Sequence, residues 1–183
     1  MRVLDGESMY VTNQYQSQNL STRTVWKRSE PIEPDRELAF LNIVVGDSET
    51  QSDGFFESNK AIPIEIKYSV IRHLSGCQIG VRIYNSEGTV VFTTTDADFK
   101  GVSASSKDPG YYTARFNIPE NFLAPTMYYI LVAAHLPGRH VYEVIDQAVV
   151  FEISPSKSLI SLDGRLGVIA PLIPWETYQE KLL

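Results

Sequence analysis

Residues 61–70 read "AIPIEIKYSV". Ile62, Ile64, Ile66, Tyr68 and Val70 occupy every second position, and Glu65, Lys67 and Ser69 stand between them. In an extended chain successive side chains point to opposite faces. A period of two therefore places one face in a core and the other in water, and the stretch reads as a half-buried β-strand.

The same pattern recurs on both sides. In "CQIGVRIYN" (77–85), Ile79, Val81 and Ile83 point inward, and Gln78, Arg82 and Tyr84 point outward. "SEG" turns the chain into a second strand, "TVVFTTT" (89–95). In "YYTARFNIP" (111–119), Tyr112, Ala114 and Phe116 share one face, and Tyr111, Thr113 and Arg115 the other. Upstream, "ELAFLNIVVG" (37–46) is β-prone and runs into a Gly46-Asp47 turn signal. Downstream, "MYYILVAAHL" (127–136) is apolar on both faces, as a central strand is. "HVYEVIDQAVVFEI" (140–153) supplies one long strand, or two broken near Asp146. Seven to nine short strands with turns at roughly ten-residue spacing, and no sustained helical period, predict an all-β fold. The architecture expected is an antiparallel immunoglobulin-like β-sandwich, with Ile64, Ile66, Ile79, Val81, Ile83, Phe116, Leu131 and Phe151 in its core.

Three regions follow. Residues 1–35 are a polar linker or N-terminal arm, ending in "EPIEP", with one short strand near "RTVWKR" (23–28). Trp26 needs cover, so the arm is expected to dock. Residues 36–155 form the sandwich. Residues 156–183 hold a short strand near 167–170 and a tail, "ETYQEKLL", with a helical turn or two.

Composition narrows the function. The chain of 183 residues carries a formal net charge of −6 and no basic run, which argues against binding nucleic acid. No apolar run approaches the ~20 residues that span a bilayer, so direct membrane insertion is not expected. The first residues form no continuous apolar leader. The lone Cys77 cannot make an internal disulfide and reads as a small buried hydrophobe. These features predict a reducing, cytoplasmic setting. No phosphate loop, dinucleotide-binding glycine motif or nucleophile elbow occurs, so no cofactor and no enzymatic activity are expected. His135 and His140 flank the "LPGR" turn, but two imidazoles are half a structural metal site, so no metal is expected. The acidic pairs Asp96 with Asp98 and Glu65 with Glu143 read as solvated charge rather than as hydrolytic carboxylates. The ten tyrosines and the polar outer faces of the strands fit either an ordinary solvated surface, with tyrosine present for its strand propensity, or a carbohydrate platform, where aromatic rings lie against sugar rings and planar polar groups bind hydroxyls.

The succession "GVRIYNSEG", "TVVFTTT", "PGYYTARFNIP", "MYYILVAAHL" and "DQAVVFEI" resembles the C-terminal domain of Wzt-type proteins, the ATPase subunits of ABC exporters for bacterial O-antigen polysaccharide. The closing "GVIAPLIPW" is similar to the end of such proteins. The resemblance covers about residues 37–153 and leaves out the ATPase part. It implies non-enzymatic binding of an O-antigen-type polysaccharide at the cytoplasmic side of the inner membrane, with the ABC exporter subunits as partners. It also implies a homodimer that exchanges terminal strands. Alternatives are a dimerisation or docking module without glycan binding, and a glycan-modifying accessory domain.

The candidate carbohydrate-binding residues are Gln78, Arg82 and Tyr84, which alternate along one strand at about 6.5–7 Å intervals. Lys67 joins them if the preceding strand is a neighbour, as sequential strands often are. Tyr128 and Arg115 complete the set.

Overall fold

A computed structural model of the chain describes residues 21–47, 53–99, 106–154 and 167–177. Nine strands run through these residues: β1 (Val25–Lys27), β2 (Leu38–Val45), β3 (Phe55–Glu57), β4 (Ile62–Val70), β5 (Gln78–Asn85), β6 (Val90–Thr95), β7 (Gly110–Ile118), β8 (Met127–Leu136) and β9 (His140–Ser154). They form two sheets, ordered β1-β2-β4-β7 and β3-β9-β8-β5-β6. The fold is the expected all-β sandwich, with one departure. β3 pairs with β9 in parallel, Phe55 beside Glu152, so the larger sheet is mixed.

Strand β4 alternates as its sequence dictates, with Ile62, Ile64, Ile66, Tyr68 and Val70 buried. Against them the second sheet sets Ile79, Val81 and Ile83 of β5 and Ile130, Val132, Phe151 and Ile153 of β8 and β9. The Tyr68 ring stacks on Tyr112 at 5.3 Å, and Tyr128 stacks on Phe151 at 5.7 Å. Two expected core residues depart from this picture. Phe116 is half-buried at the margin of the core. Leu131 lies on the outer face of its sheet, beside Arg82, because β8 is apolar on both sides.

The segment before residue 36 joins the sandwich. β1 pairs with β2, Trp26 beside Ile43, and Trp26 packs against the core. Arg23 bridges to Val150 of the opposite sheet. Strand β9 is continuous, but its register on β8 shifts between Ile130 and Val132, opposite Asp146 and Gln147, and Gln147 has a φ of 45°. Of the two expected readings, one long strand holds, with a bulge in place of a break near Asp146. The strand expected near 167–170 is a single bridge, Leu123 to Ile169. The first twenty residues of the arm and residues 178–183 of the expected helical turn lie outside the described residues; Glu176 and Thr177 are not helical.

Candidate functional site

The outer face of the five-stranded sheet carries an open groove of about 630 Å³. Its floor follows from the strand register. Gly80 of β5 lies beside Ala133 of β8, and Ala133 beside Val144 of β9, so a row of small side chains crosses three strands. Arg82 and Leu131 form the next row on one side. His135 and the β8–β9 turn, with Gly138, Arg139 and His140, bound the other. Glycine inside a strand weakens it and often marks the close approach of another group. Here a Cβ on Gly80 would meet the His135 ring at 3.2 Å, so the bare backbone is what lets the imidazole lie over the strand. His135 Nδ1 is buried without a hydrogen-bond partner among the described residues.

Beyond Arg82 the face becomes aromatic. Tyr84 and Tyr129 are cross-strand neighbours, and their rings stack at 4.8 Å, 6° from parallel. Arg82 reaches along the face, its Nη1 3.3 Å from the Tyr84 hydroxyl and its Nε 3.4 Å from Thr93 Oγ1. The Tyr129 hydroxyl is held protonated to higher pH than usual, first by burial and then by the Asp146 carboxylate.

Arg82 and Tyr84 thus share one face, next to the groove. The other four sequence candidates do not join them there in the way expected. Gln78 has the right alternation but is buried, 8% exposed, at the strand end. Lys67 sits on β4, whose neighbours are β2 and β7; the chain changes sheets between β4 and β5, so the two strands are not adjacent. Arg115 of β7 lies on that same four-stranded sheet. There the Glu65 carboxylate binds Arg115 Nη2 at 2.6 Å and Lys67 Nζ at 3.2 Å, and the Arg115 hydrogen bond holds the Glu65 carboxyl below its usual range. Tyr128 is fully buried, and its hydroxyl donates to the carbonyls of Ala124 at 2.8 Å and Val168 at 3.0 Å. It is a core residue because the inward positions of β8 are Tyr128, Ile130, Val132 and Ala134.

Sequence reasoning missed Gly80, Arg139 and the placement of His135 and His140 in the groove. The available signal was Gly80, a glycine in the middle of an alternating strand.

Two other places on the fold bring polar groups together. Ser106 Oγ lies 3.4 Å from His73 Nε2, and His73 Nδ1 2.7 Å from Asp108 Oδ1. The His73 and Asp108 side chains are 58% and 84% exposed, so water competes at every position and the trio lacks the shielded setting that activates a serine. A second cleft, of about 610 Å³, opens between the sheets over Ile66, Ile79 and Val81. The Asp96–Lys107 pair that lines it, 2.9 Å, is already engaged, with Lys107 Nζ also donating to the Cys77 carbonyl and Asp96 accepting the Ile79 amide. Cys77 is buried, and burial pushes its thiol up to about 11, which leaves it unreactive as a nucleophile.

The crystal structure of the C-terminal domain of wzt matches with a TM-score of 0.61 at 12% identity, covering 90% of this chain and 96% of that one. At this identity the likeness shows a shared sandwich. No curated protein matches the chain. The family profile described as the Wzt C-terminal domain matches residues 33–164, which take in every strand from β2 to β9 and the whole groove. On that match the chain belongs to the Wzt C-terminal domain family.

Proposed function

We propose that this chain is a non-enzymatic module that binds an O-antigen-type polysaccharide and couples it to an ABC exporter at the cytoplasmic face of the inner membrane. The observation that carries this reading is the small-residue row of Gly80, Ala133 and Val144, set between Arg82 and His135 and beside the Tyr84–Tyr129 stack. A sugar ring has an apolar face and an equatorial rim of hydroxyls. The bare floor and aromatic surface accommodate the first, and the planar groups along the walls hydrogen-bond the second. Hydroxyl bonds largely replace bonds to water, so each unit binds weakly. Repeated units and two subunits raise the apparent affinity.

A homodimer is part of the proposal. Leu172, Ile173 and Trp175 are 46%, 65% and 88% exposed, an apolar segment that a second subunit would cover.

The test is retention of the folded chain on polysaccharide from the cells that encode it. Arg82→Ala and Tyr84→Ala are expected to reduce retention with the melting temperature kept, and Gly80→Val, whose side chain must displace the His135 ring, to reduce both retention and stability. Full retention by all three variants would move the glycan site elsewhere and leave docking as the role of this face.

A further inference from the structure

We infer that Glu143 is a positioning residue for the groove: it locks the stretch of β9 that forms part of the groove floor to residues 28–40, so that a seated glycan is sensed there. The inference rests on the glycan-binding reading of the groove and names the side chain that sets its shape.

Consecutive residues of a strand face opposite ways. Val144 is paired with Ala133 and points outward into the groove. Glu143 is paired with Ala134 of the core and points inward, across the gap between the sheets. Val144 also borders a second cleft, of about 390 Å³, where Glu143 lies with Trp26, Arg28 and Arg36. One short piece of backbone thus belongs to both places. Glu143 takes the Phe40 amide, Arg28 and Arg36. Arg28 Nε in turn donates to the Phe40 carbonyl at 2.7 Å. All three partners lie in residues 28–40, and none of them lines the groove.

The backbone alone holds this piece of β9 weakly. Its ladder to β8 runs over three pairs, Val132 with Ile145, Ala133 with Val144 and Ala134 with Glu143. A register shift interrupts the ladder at each end. Among the described residues, the other edge of β9 has backbone pairing only from Val150 onward, to Arg23 and to β3. A segment set between two bulges and bonded along one edge opens more easily than a regular interior strand. The Glu143 side chain supplies the missing hold. Stability alone does not call for a carboxylate there, because apolar side chains often fill the place of a buried ion pair at no loss. A carboxylate with three partners fixes a position. A sugar ring resting on Val144 bears on this backbone, and Glu143 carries the shift to Arg28 and Arg36. Linkage makes the effect reciprocal, so whatever holds residues 28–40 favours the groove shape that the glycan selects.

The experiment uses the full chain with and without polysaccharide from the cells that encode it. Hydrogen exchange is followed in peptides covering 28–40 and 131–145, and retention by affinity electrophoresis. Saturation is expected to slow exchange in both peptides. Glu143→Gln keeps an acceptor for the Phe40 amide; it is expected to weaken retention about fivefold or more and to abolish the response of 28–40 while 131–145 still responds. Arg36→Gln, at a side chain 31% exposed, is expected to do the same in smaller measure, and it carries the test if Glu143→Gln does not fold. Glu65→Gln breaks the comparable ion-pair cluster with Lys67 and Arg115 and is expected to leave retention and both peptides as in the wild type. If the glycan slows 131–145 alone, or slows 28–40 as much in the clamp variants as in the wild type, the glycan reading stands and the positioning role is overturned. If Glu65→Gln weakens retention as Glu143→Gln does, the effect is general loosening, and the positioning role is likewise overturned. If the wild type neither retains the polymer nor changes its exchange, the glycan reading itself falls, and this inference with it.

Discussion

The Glu143 carboxylate of β9 accepts the backbone amide of Phe40 in β2 at 2.6 Å, across the gap between the two sheets. Its other oxygen takes Arg28 and, at 2.7 Å, Arg36, so one buried side chain fastens both sheets to the segment that leads into β2. Glu143→Ala would leave that amide without its acceptor, Arg28 without a carboxylate and Arg36 with only the exposed Glu33. A loss of about 2–4 kcal/mol is expected, with a smaller one for Glu143→Gln, which keeps an acceptor for Phe40. Urea unfolding measures both.

Ile83 is fully buried where β5 faces the other sheet. Ile83→Ala should cost about 2–5 kcal/mol through lost contacts and the cavity left behind. A cost below about 0.5 kcal/mol would mean that the strand's inward face is misassigned.

Tyr128→Phe removes a hydroxyl with two carbonyl acceptors and keeps the ring that stacks on Phe151. The expected result is a stability loss of about 1–2 kcal/mol and unaltered glycan retention. A variant that kept its stability but lost retention would return Tyr128 to the binding surface.

Alkaline pH should unfold the protein early. Burial raises the Cys77 thiol from 9.0 to about 11 and the Tyr128 hydroxyl from 10.0 to about 12, and it raises Tyr68 as well. All three are neutral when folded. Above pH 9 the unfolded chain releases protons that the folded chain keeps, so stability is full below pH 9 and falls as pH rises toward 12. Thermal melts at successive pH values check the trend, and Cys77 should resist thiol reagents until the melt.

Deletion from Gly164 onward is expected to convert the proposed homodimer to monomers or aggregates, read by sedimentation. It also removes the Val168 carbonyl from Tyr128 and the Ala170 amide that bonds the Phe122 carbonyl at 2.9 Å. A truncated chain that sediments as the intact dimer would place the interface elsewhere.

Much of the fold could be read from hydrophobic alternation. β4, β5 and β7 each have one wet face, and their inward residues follow the period of two. β8 and the second half of β9 are apolar on both sides, so alternation could not show that Tyr128 faces in and Leu131 out. β3 has three residues and a parallel partner nearly a hundred positions away, too short for any period to register. Lys67 was misplaced because neighbourhood in sequence does not reveal which sheet the chain enters next. Alternation gave Gln78 its side of the strand but not its cover. The groove depends on register between β5, β8 and β9, a relation among strands that no single segment carries.

Among the described residues, the last strand to be made is an interior strand of its sheet. β9 lies between β3 and β8, and Val150 within it bridges to Arg23 near the other end of the chain. A ribosome must release residue 154 before the five-stranded sheet can close, and until then β3 has no partner and β8 has an open edge. Such distant pairings are slow to find, with folding times of roughly milliseconds to seconds for all-β domains. The groove, whose floor is shared by β5, β8 and β9, is therefore assembled after synthesis of the sandwich is complete, and a nascent chain that stops short of β9 has no site to offer.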